Sequence, residues 1–559
     1  MRASLVLFLL TGCSDPPMPA TMQPPPDTMV TSCPHAADPP LQSATCEVVP
    51  GGAGLLLTGT VLQPGMSLRG GQVAIDSAGN ITCAACDCTQ AGAGATQIHC
   101  PTGVISPGLI NAHDHITYTQ NAPAPDSGER YEQRNDWRKG QRGHTKIATP
   151  GGASVPQIQW GELRFILGGA TSTVGSGAAP GLLRNLDKPA NLEAGLAAHA
   201  GVQFQTFPLG DTNGLQLASG CGYNFTDTAA SIANDKSYEP HIAEGVDSVA
   251  HNEFVCSSSS VGGAQDLTQP QSAFIHSVAL QAADYQQMAM EGTSVVWSPR
   301  SNIRLYGNTA QVTVAASFHT RIALGTDWTA SGSMNLLREL RCADELNQKY
   351  YDKFFSDEQL WEMVTKNAAG ATGFDDALGV LAQGHLADIA IFDGRSNADF
   401  RAVVAAEPAG VVLVLRGGKP LYGDASLLSA LSVPNCDSFD VCGTAKSACL
   451  MGEVGKTFDA LKAAAGGVYG LFFCGTPDVE PTCVPSRPKA VMSSTIYTGQ
   501  ITATDSDGDG IPDATDNCPR HFNPIRPLDG AVQADADLDG AGDACDPCPL
   551  DPMNVCTKS

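Results

Sequence analysis

The sequence has little positive charge. It contains 32 Lys and Arg residues against 57 Asp and Glu residues, which gives a formal net charge of -25 at pH 7 and a pI near 4.7. An acidic chain repels nucleic-acid phosphates, and the sequence contains neither a basic stripe nor a nucleic-acid-binding motif. Nucleic acid is therefore excluded as a predicted partner.

Long hydrophobic runs are also missing. The apolar stretch within residues 1–13, MRASLVLFLLTGC, is too short for a mature transmembrane helix, which needs about 20 apolar residues. It is typical of a signal peptide, here residues 1–12. The final LTGC resembles a bacterial lipobox and implies lipidation of Cys13. Because Ser14 follows, we expect an exported protein, lipid-anchored in the outer membrane of a Gram-negative bacterium; an ordinary secretory signal is the alternative.

The cysteine count agrees with export. The chain has 19 cysteines, and setting aside Cys13 leaves 18, an even number that suits disulfides in an oxidising compartment. Cys83, Cys86 and Cys88 are close enough in sequence to bind zinc, but disulfides are favoured in an exported chain. The pairings cannot be read from the sequence.

Metal-binding side chains follow four apolar runs that resemble buried strands. Residues 104–116, VISPGLINAHDHI, end in His113 and His115, which alternate on a strand and so point to the same face. Later runs end at His241, at His276 and at Asp327. Such a set at four strand ends predicts one metal site rather than scattered core histidines.

The side chains predict hydrolytic chemistry. A divalent ion held by three neutral histidines and a carboxylate keeps an open position and lowers the pKa of bound water from ~15.7 towards ~7. Glu244, three residues after His241, is placed to act as general acid and base, and His276 to orient the hydroxide or the substrate. Zinc is the first choice of metal, and iron also fits. The predicted metal ligands are His113, His115, His241 and Asp327.

These stretches resemble the amidohydrolase superfamily. The matching motifs are, in order, PGLINAHDH, HIAEG, FIHSVAL, SPRSN and LGTDW, within about residues 51–430. The His-x-x-Glu pattern resembles the mononuclear deaminase and chlorohydrolase branch, in which Asp327 would also orient the attacking water. Binuclear branches usually carry a bridging lysine or glutamate, and no lysine lies between His199 and Asp235. A bridging Asp211, and with it a binuclear peptidase or lactonase, is the alternative.

The resemblance implies an α/β fold, a (β/α)₈ TIM barrel over residues 107–377. Residues 182–199 and 334–350 are compatible with helices, and seven strands can be placed. The two flanking segments, 51–106 and 378–430, have the pattern of short antiparallel strands and would assemble into one small β-sandwich. The seven strands end near His113, Val174, Leu209, His241, His276, Ser298 and Asp327.

A basic stretch, residues 131–144, stands out in this acidic chain. Together with Arg130 it concentrates four arginines and a tryptophan, so we interpret it as a substrate loop for a planar or anionic small molecule; a solvated loop is the alternative. It departs from the resembled deaminases, whose first loop is less basic. The predicted substrate-binding residues are Arg134, Trp137, Arg300, Asn302 and Trp328.

The remaining segments are predicted from composition. Residues 13–50 are rich in proline and predict an extended tether. Residues 431–500 predict a small disulfide-bonded unit, with a helix-like stretch at 456–465.

Two aspartate-rich stretches close the chain within residues 501–559. Residues 505–519, DSDGDGIPDATDNCP, and 535–549, DADLDGAGDACDPCP, alternate aspartates with glycines, as loops around a hard cation do. They resemble thrombospondin type 3 repeats, which implies bound calcium; an acidic disordered tail is the alternative. The predicted calcium ligands are Asp505, Asp507, Asp509, Asp513, Asp516, Asp535, Asp537, Asp539, Asp543 and Asp546.

The sequence as a whole predicts a metal-dependent hydrolase that attacks a carbon bonded to nitrogen in a small molecule. The reaction would be deamination of a heterocycle or hydrolysis of a cyclic or linear amide. The alternative from another class is an inactive surface or adhesion protein, whose calcium repeats bind a partner at the cell surface.

Overall fold

The computed structural model describes residues 28–196 and 199–556. The predicted signal peptide and Cys13 lie outside the described residues. Within these ranges, no helix is both long and apolar enough to cross a membrane. The described chain is a mixed α/β structure with two parallel sheets, one larger mixed sheet and nine disulfides.

Six of the eleven strands of the mixed sheet come from the chain before the predicted barrel. Two of them, residues 52–63 and 66–75, form an antiparallel hairpin, and Gly65 in the turn has a positive φ of 78°, which favours glycine. The strands are β1 (Met29–Ser32), β2 (Glu47–Val49), β3 (Gly52–Gln63), β4 (Met66–Ile75), β5 (Ile81–Ala85) and β6 (Ala95–Pro107).

The described part of the predicted tether is folded. β1 pairs in parallel with β4, and β2 pairs with β6. Disulfides join Cys33 to Cys86 and Cys46 to Cys100 on either side of these pairings. The expectation of an extended segment up to residue 50 therefore fails for residues 28–50, because cross-links and strand pairing compensate for the small apolar content.

Eight short parallel strands follow. They form a three-stranded sheet, β7-β8-β9, and a five-stranded sheet, β10 to β14. Backbone hydrogen bonds join the sheets at both sides, from Val202 N to Leu186 O at 2.8 Å and from Ala112 N to Leu324 O at 3.1 Å. The strands are β7 (Leu109–Asn111), β8 (Ala170–Thr173), β9 (Arg184–Asn185), β10 (Gln203–Gln205), β11 (Tyr238–Ile242), β12 (Ala273–His276), β13 (Ser294–Trp297) and β14 (Ile322–Leu324).

Helices cover these strands, so that β11 to β14 are buried at every position. The helix predicted at 334–350 is confirmed, whereas that predicted at 182–199 is wrong because β9 lies there. The helices are α1 (Arg134–Lys139), α2 (Val155–Ile166), α3 (Ala229–Ile232), α4 (Ser248–Ser257), α5 (Ala282–Glu291), α6 (Pro299–Tyr306), α7 (Val312–Ser317), α8 (Leu336–Tyr350), α9 (Asp357–Glu362) and α10 (Lys366–Ala371).

The chain then returns to the mixed sheet. β15 pairs antiparallel with β6, with Ile391 opposite Ile105, so strands from both flanking segments share one sheet of eleven strands. The remaining elements are β15 (Ile389–Asp393), α11 (Arg401–Val404), β16 (Val411–Arg416), β17 (Lys419–Asp424), α12 (Ala425–Ala430), β18 (Asp437–Val441), β19 (Thr444–Ala448), α13 (Met451–Val454) and α14 (Phe458–Ala465).

The predicted Cys-rich unit is not self-contained. Its helix-like stretch does contain α14, but Cys483 forms a disulfide with Cys342 on α8, across 141 residues of sequence. Glu480 beside it pairs with Arg338 on the same helix at 2.6 Å. The segment after residue 466 is therefore bound to the part of the chain that carries the parallel strands.

Glu162 on α2 gives a prediction for stability. The side chain is wholly buried and accepts hydrogen bonds from Leu183 N at 3.2 Å and Asn185 Nδ2 at 3.1 Å. Burial raises the pKa of Glu162 from 4.5 to about 8. A carboxyl whose pKa is higher in the folded state than in the unfolded state stabilises the folded state fully at a pH below its unfolded pKa. This contribution of Glu162 is lost as the pH rises through about 8.

We therefore expect the thermal unfolding midpoint to fall between pH 7 and pH 9, and Glu162→Gln to reduce this fall, measured by scanning calorimetry. Glu291→Gln, an exposed change on α5, is the control and should leave the pH dependence unchanged. Equal slopes for wild type and Glu162→Gln would contradict the assignment.

Candidate active site

Four predicted ligands converge at or just beyond the carboxyl ends of β7, β11 and β14. Asp327 Oδ1 lies 3.3 Å from His113 Nε2 and 3.6 Å from His115 Nε2, and His241 Nε2 lies 3.3 Å from His115 Nε2. Burial lowers the pKa of His115 to about 3 and that of His241 well below its ordinary value. Both imidazoles are therefore neutral, which is the form that binds a metal.

The hydrogen bonds of this cluster fit a cation. His241 Nδ1 lies 3.1 Å from Gln205 O, so its proton is donated there and the lone pair of Nε2 faces His115. Neither ring nitrogen of His113 has a hydrogen-bond partner within the described residues, although the side chain is fully buried. Buried nitrogens without partners and lone pairs that face each other are what a divalent transition metal would satisfy.

Asp327 is held by its neighbours. Ser301 Oγ donates a hydrogen bond to Oδ2 at 2.6 Å, and Trp328 N donates one to Oδ1 at 2.7 Å. Burial alone would raise the pKa of Asp327, but the adjacent His113 and the other histidines hold it below its usual range. The carboxylate is therefore anionic and fixed in orientation.

Glu244 lies at the other side of the cluster. Tyr306 Oη donates to Oε1 at 2.7 Å and itself accepts from Trp137 Nε1 at 2.8 Å. Oε2 lies 3.3 Å from Arg134 Nε and 3.7 Å from His276 Nε2. Burial raises the pKa of Glu244 to about 7, which suits a group that takes up and returns a proton at neutral pH.

Asn302 fixes His276 from behind. Asn302 Nδ2 lies 3.0 Å from His276 Nδ1, and Thr309 Oγ1 donates to Asn302 Oδ1, which assigns the amide nitrogen to the histidine. Nδ1 of His276 is therefore the acceptor, and Nε2 carries the proton that faces Glu244. His276 itself has a left-handed φ of 73°.

A cavity of about 720 Å³ opens above the cluster. The Trp137 and Trp328 rings at its wall have centroids 5.2 Å apart, and the Arg134 guanidinium lies 4.8 Å from the Phe207 ring centroid. Arg134 Nη1 is buried without a hydrogen-bond partner within the described residues. The cavity thus offers aromatic faces and one guanidinium nitrogen, Arg134 Nη1, that is not used by a hydrogen bond within the described residues.

Two of the predicted substrate-binding residues do not line the cavity. Arg300 donates to Ser333 Oγ at 2.6 Å and pairs with Glu480 at 3.4 Å, so its guanidinium points away from the ligand cluster. Asn302 lies behind His276. The cavity wall does not include these two residues, whereas Arg134, Trp137 and Trp328 do line the cavity.

Two arginines of the predicted substrate loop also point elsewhere. Arg142 pairs with Asp136 at 2.5 Å and with Asp247 at 2.6 Å. Arg130 pairs with Asp126 at 3.1 Å. They stabilise the loop that carries Arg134 instead of meeting a ligand in this cavity.

Four functional features escaped the sequence analysis. Tyr306 lies four residues after Asn302 on α6, a spacing that places both on one helix face and could have indicated it. Ser301, within the SPRSN motif, was not among the predicted site residues, and its hydroxyl holds the predicted ligand Asp327. The Gln205 carbonyl accepts a hydrogen bond from His241, and the Phe207 ring lies under the Arg134 guanidinium. Nothing in the local sequence indicates either contact.

The first aspartate loop brings oxygen atoms together around Gln533 Nε2. Asp516 Oδ1 lies 2.7 Å from it, Asn523 Oδ1 3.1 Å and Asp509 Oδ2 3.5 Å. Asp507 is almost fully buried, and its Oδ2 has no hydrogen-bond partner in the described chain. A buried acidic group without a partner beside converging oxygens fits a hard cation.

Two of the predicted ligands accept hydrogen bonds within their own loops. Asp513 accepts hydrogen bonds from Ser506 N and Oγ, both at 2.7 Å, and Asp543 accepts one from Ala536 N at 2.7 Å. These two aspartates brace their loops through these hydrogen bonds, and the ligand role predicted for them stays a prediction. The other predicted ligands are Asp505, Asp507, Asp509 and Asp516 in the first loop and Asp535, Asp537, Asp539 and Asp546 in the second.

Comparison with known proteins matches two parts of the chain. A model of the amidohydrolase family matches residues 227–421, and a model of the thrombospondin type 3 repeat matches residues 499–526. Over 174 residues the chain is 29% identical to a 5-methylthioadenosine/S-adenosylhomocysteine deaminase of Pyrococcus abyssi, covering 29% of this chain and 40% of that protein. It is 30% identical over 168 residues to the protein of that name from Clostridium tetani, covering 28% and 38%.

The chain thus spans less than half the length of these relatives. Among solved structures, an adenosine deaminase from Xanthomonas campestris with bound zinc is similar with a TM-score of 0.47 and 17% identity, over 69% of this chain and 97% of that one. A triazine hydrolase variant is similar with a TM-score of 0.49 and 18% identity, over 68% and 98%.

Proposed function

We propose that this chain is a metal-dependent hydrolase that attacks a carbon bonded to nitrogen in a small molecule. The reaction is deamination of a heterocycle or hydrolysis of a cyclic or linear amide. One observation carries this proposal: His113, His115, His241 and Asp327 converge on one buried point beside Glu244. The family match over residues 227–421 supports it.

A divalent ion bound by these four side chains, zinc or iron, would activate water as a nucleophile at neutral pH. The chain's own groups move the proton. Glu244 accepts the proton of the attacking water and delivers it to the leaving nitrogen, while Tyr306 Oη keeps the carboxylate in place. His276 Nε2 donates towards the reacting carbonyl or imine position, and Asn302 keeps the proton on that nitrogen.

The cavity supports a planar substrate that carries an anionic or strongly polar group. Trp137 and Trp328 offer aromatic faces beside the ligands, and Arg134 Nη1 is free of other hydrogen bonds among the described residues. A guanidinium stacked on Phe207 is pre-oriented, so binding an anion there costs little side-chain entropy.

The wider architecture forms part of the proposal. The eight parallel strands would constitute one closed (β/α)₈ barrel, supported by the hydrogen bonds that join the two sheets at Val202 and Ala112. The strands before and after it would form one discontinuous domain, supported by the pairing of β6 with β15.

Export and calcium binding are proposed as well. Nine disulfides support an oxidising compartment, and the LTGC sequence supports a lipid anchor at Cys13 in an outer membrane. The repeat match and the buried Asp507 support calcium in the aspartate loops. A partner at the cell surface would bind through these repeats.

Metal analysis of the full chain tests the proposal. We expect one transition-metal equivalent per chain, and we expect His241→Ala to lose it because three donors hold the ion far less tightly. His251→Ala, a partly exposed histidine paired with Asp284, is the matched control and should retain the metal.

Each other outcome has a defined meaning. Two equivalents in the wild type would favour the binuclear peptidase or lactonase type. No equivalent after reconstitution would contradict the hydrolase proposal and favour the adhesion protein. With the loaded wild type, heterocyclic amines are then screened for ammonia release, and cyclic and linear amides for the carboxylic acid that hydrolysis forms.

A further inference from the structure

We infer that the C-terminal aspartate loops position the active site, and that Arg526 and Arg487 are the positioning residues that couple cation binding to the loops around His276 and Glu244. This inference rests on the proposed hydrolase function and goes beyond it. It makes the segment after residue 466 a working part of the catalytic machinery.

Arg526 reaches from the aspartate repeats into the barrel region. Its side chain is buried, and Nη1 donates to Leu280 O at 2.8 Å and to Val278 O at 3.3 Å. Asp529, three residues on, pairs with the same guanidinium at 3.0 Å and neutralises its charge. The arginine thus satisfies two carbonyls of the loop that follows β12.

That loop needs external support. His276 and Ser277 have positive φ values of 73° and 53°, a conformation that L-residues adopt at an energetic cost and keep only when the surroundings enforce it. Backbone bonds from Ser277 N to Ile242 O and from Val278 N to Ala243 O, both at 3.1 Å, hold one side. Arg526 holds the other side.

Arg487 supports the opposite wall of the site. It is buried, and its Nη1 donates to Tyr306 O at 2.6 Å and to Tyr131 O at 3.1 Å, while Nη2 pairs with Glu132 at 2.6 Å. Tyr306 is the residue whose hydroxyl bonds Glu244. The substrate loop and the end of α6 are therefore joined through one side chain.

The two arginines lie on connected segments. Thr495 and Ile525 exchange hydrogen bonds, with Ile525 N donating to Thr495 Oγ1 at 2.9 Å and Thr495 N to Ile525 O at 3.0 Å. Two residues beyond Thr495, Tyr497 O accepts a bond from Arg487 N at 2.9 Å. Movement of the segment around Arg526 is thus transmitted to Arg487.

The cation site adjoins this network. Asn523 contributes its side-chain and backbone oxygens to the cluster around Gln533, at 3.1 and 3.3 Å from Nε2, and lies three residues before Arg526. Without a cation, the carboxylates of Asp509 and Asp516 repel each other across this cluster and loosen the segment. A bound calcium ion would instead draw Asn523 in and hold Arg526 against the loop.

Hydrogen exchange on the full, zinc-loaded chain tests the coupling without any substrate. Adding calcium chloride to calcium-depleted protein should slow amide exchange in residues 277–282 and 131–137 on the order of tenfold. Arg526→Met should still bind calcium by calorimetry yet lose the protection of residues 277–282, and Arg526→Lys should restore part of it. Arg520→Met, an arginine of the same repeat with 74% of its side chain exposed, should behave as wild type.

A second variant tests the same coupling if Arg526→Met does not fold. Asp509→Asn should abolish the calcium-dependent protection from the cation side while leaving Arg526 in place. Protection that persists in Arg526→Met, or exchange in the wild type that does not respond to calcium, would overturn the inference. Absence of turnover in a wild type that still shows the calcium response would instead count against the proposed hydrolase alone.

Discussion

Glu244→Gln is expected to lower the rate of C–N bond hydrolysis about 10²- to 10⁴-fold, the range lost when a general acid–base group is removed. The amide has the same shape and can still accept a hydrogen bond from Tyr306, but it cannot take up the proton of the attacking water. The metal ligands are untouched, so metal content should stay at the wild-type value. Product formation from the substrate found in the screen and elemental analysis on the same preparation measure both.

The control for this change is Glu162→Gln, which also replaces a buried carboxyl with an amide but lies on α2, outside the ligand cluster. It should retain turnover at pH 7. A Glu244→Gln enzyme within a few-fold of wild type would show that another group moves the proton. Loss of metal in Glu244→Gln would show that Glu244 is a ligand.

The ligand cluster could be predicted because it depends on local geometry. His113 and His115 alternate on an extended chain, and the remaining ligands follow apolar runs that end at the same side of the parallel sheets. The apolar composition of each run indicates a buried strand, and parallel strands bring their carboxyl ends together. The pattern therefore gives the cluster before any tertiary contact is known.

Residues next to the site were predicted less well, because neighbours on a helix point in different directions. Successive residues on α6 are about 100° apart around the axis, as 3.6 residues per turn requires. Ser301 therefore meets Asp327, Asn302 meets His276 and Arg300 meets Glu480. Adjacency to a motif predicts that a residue is near the site, but not that it faces the cavity.

The elements that were missed depend on contacts distant in sequence. β9 has two residues, Arg184 and Asn185, and no apolar run that could mark it as a strand. Cys483 lies among cysteines that pair locally but forms its disulfide with Cys342. The folding of residues 28–50 likewise depends on pairing with β4 and β6. Composition alone carries none of this information, since the partners decide the structure.

β9, which the sequence analysis did not predict, contains the residue whose substitution is expected to affect stability most, Arg184. Arg184 forms a bidentate pair with Asp388 at 2.8 and 2.9 Å, and its Nη1 donates to the carbonyls of Leu192 and Ala194. Both partners are almost fully buried. The pair joins β9 to the segment just before β15, and therefore joins the parallel strands to the mixed sheet.

Arg184→Met is expected to destabilise the folded chain by about 3–5 kcal/mol, because it leaves the Asp388 carboxylate buried without its counter-charge. The midpoint of the first unfolding transition in urea, followed by tryptophan fluorescence, measures this loss. Arg395→Met is the matched control: Arg395 pairs with Asp393 at 2.5 Å, but 55% of its side chain is exposed, so its removal should cost about 0–1 kcal/mol. Similar shifts in both variants would contradict this prediction. They would show that the buried Arg184–Asp388 pair stabilises the fold no more than an exposed ion pair does.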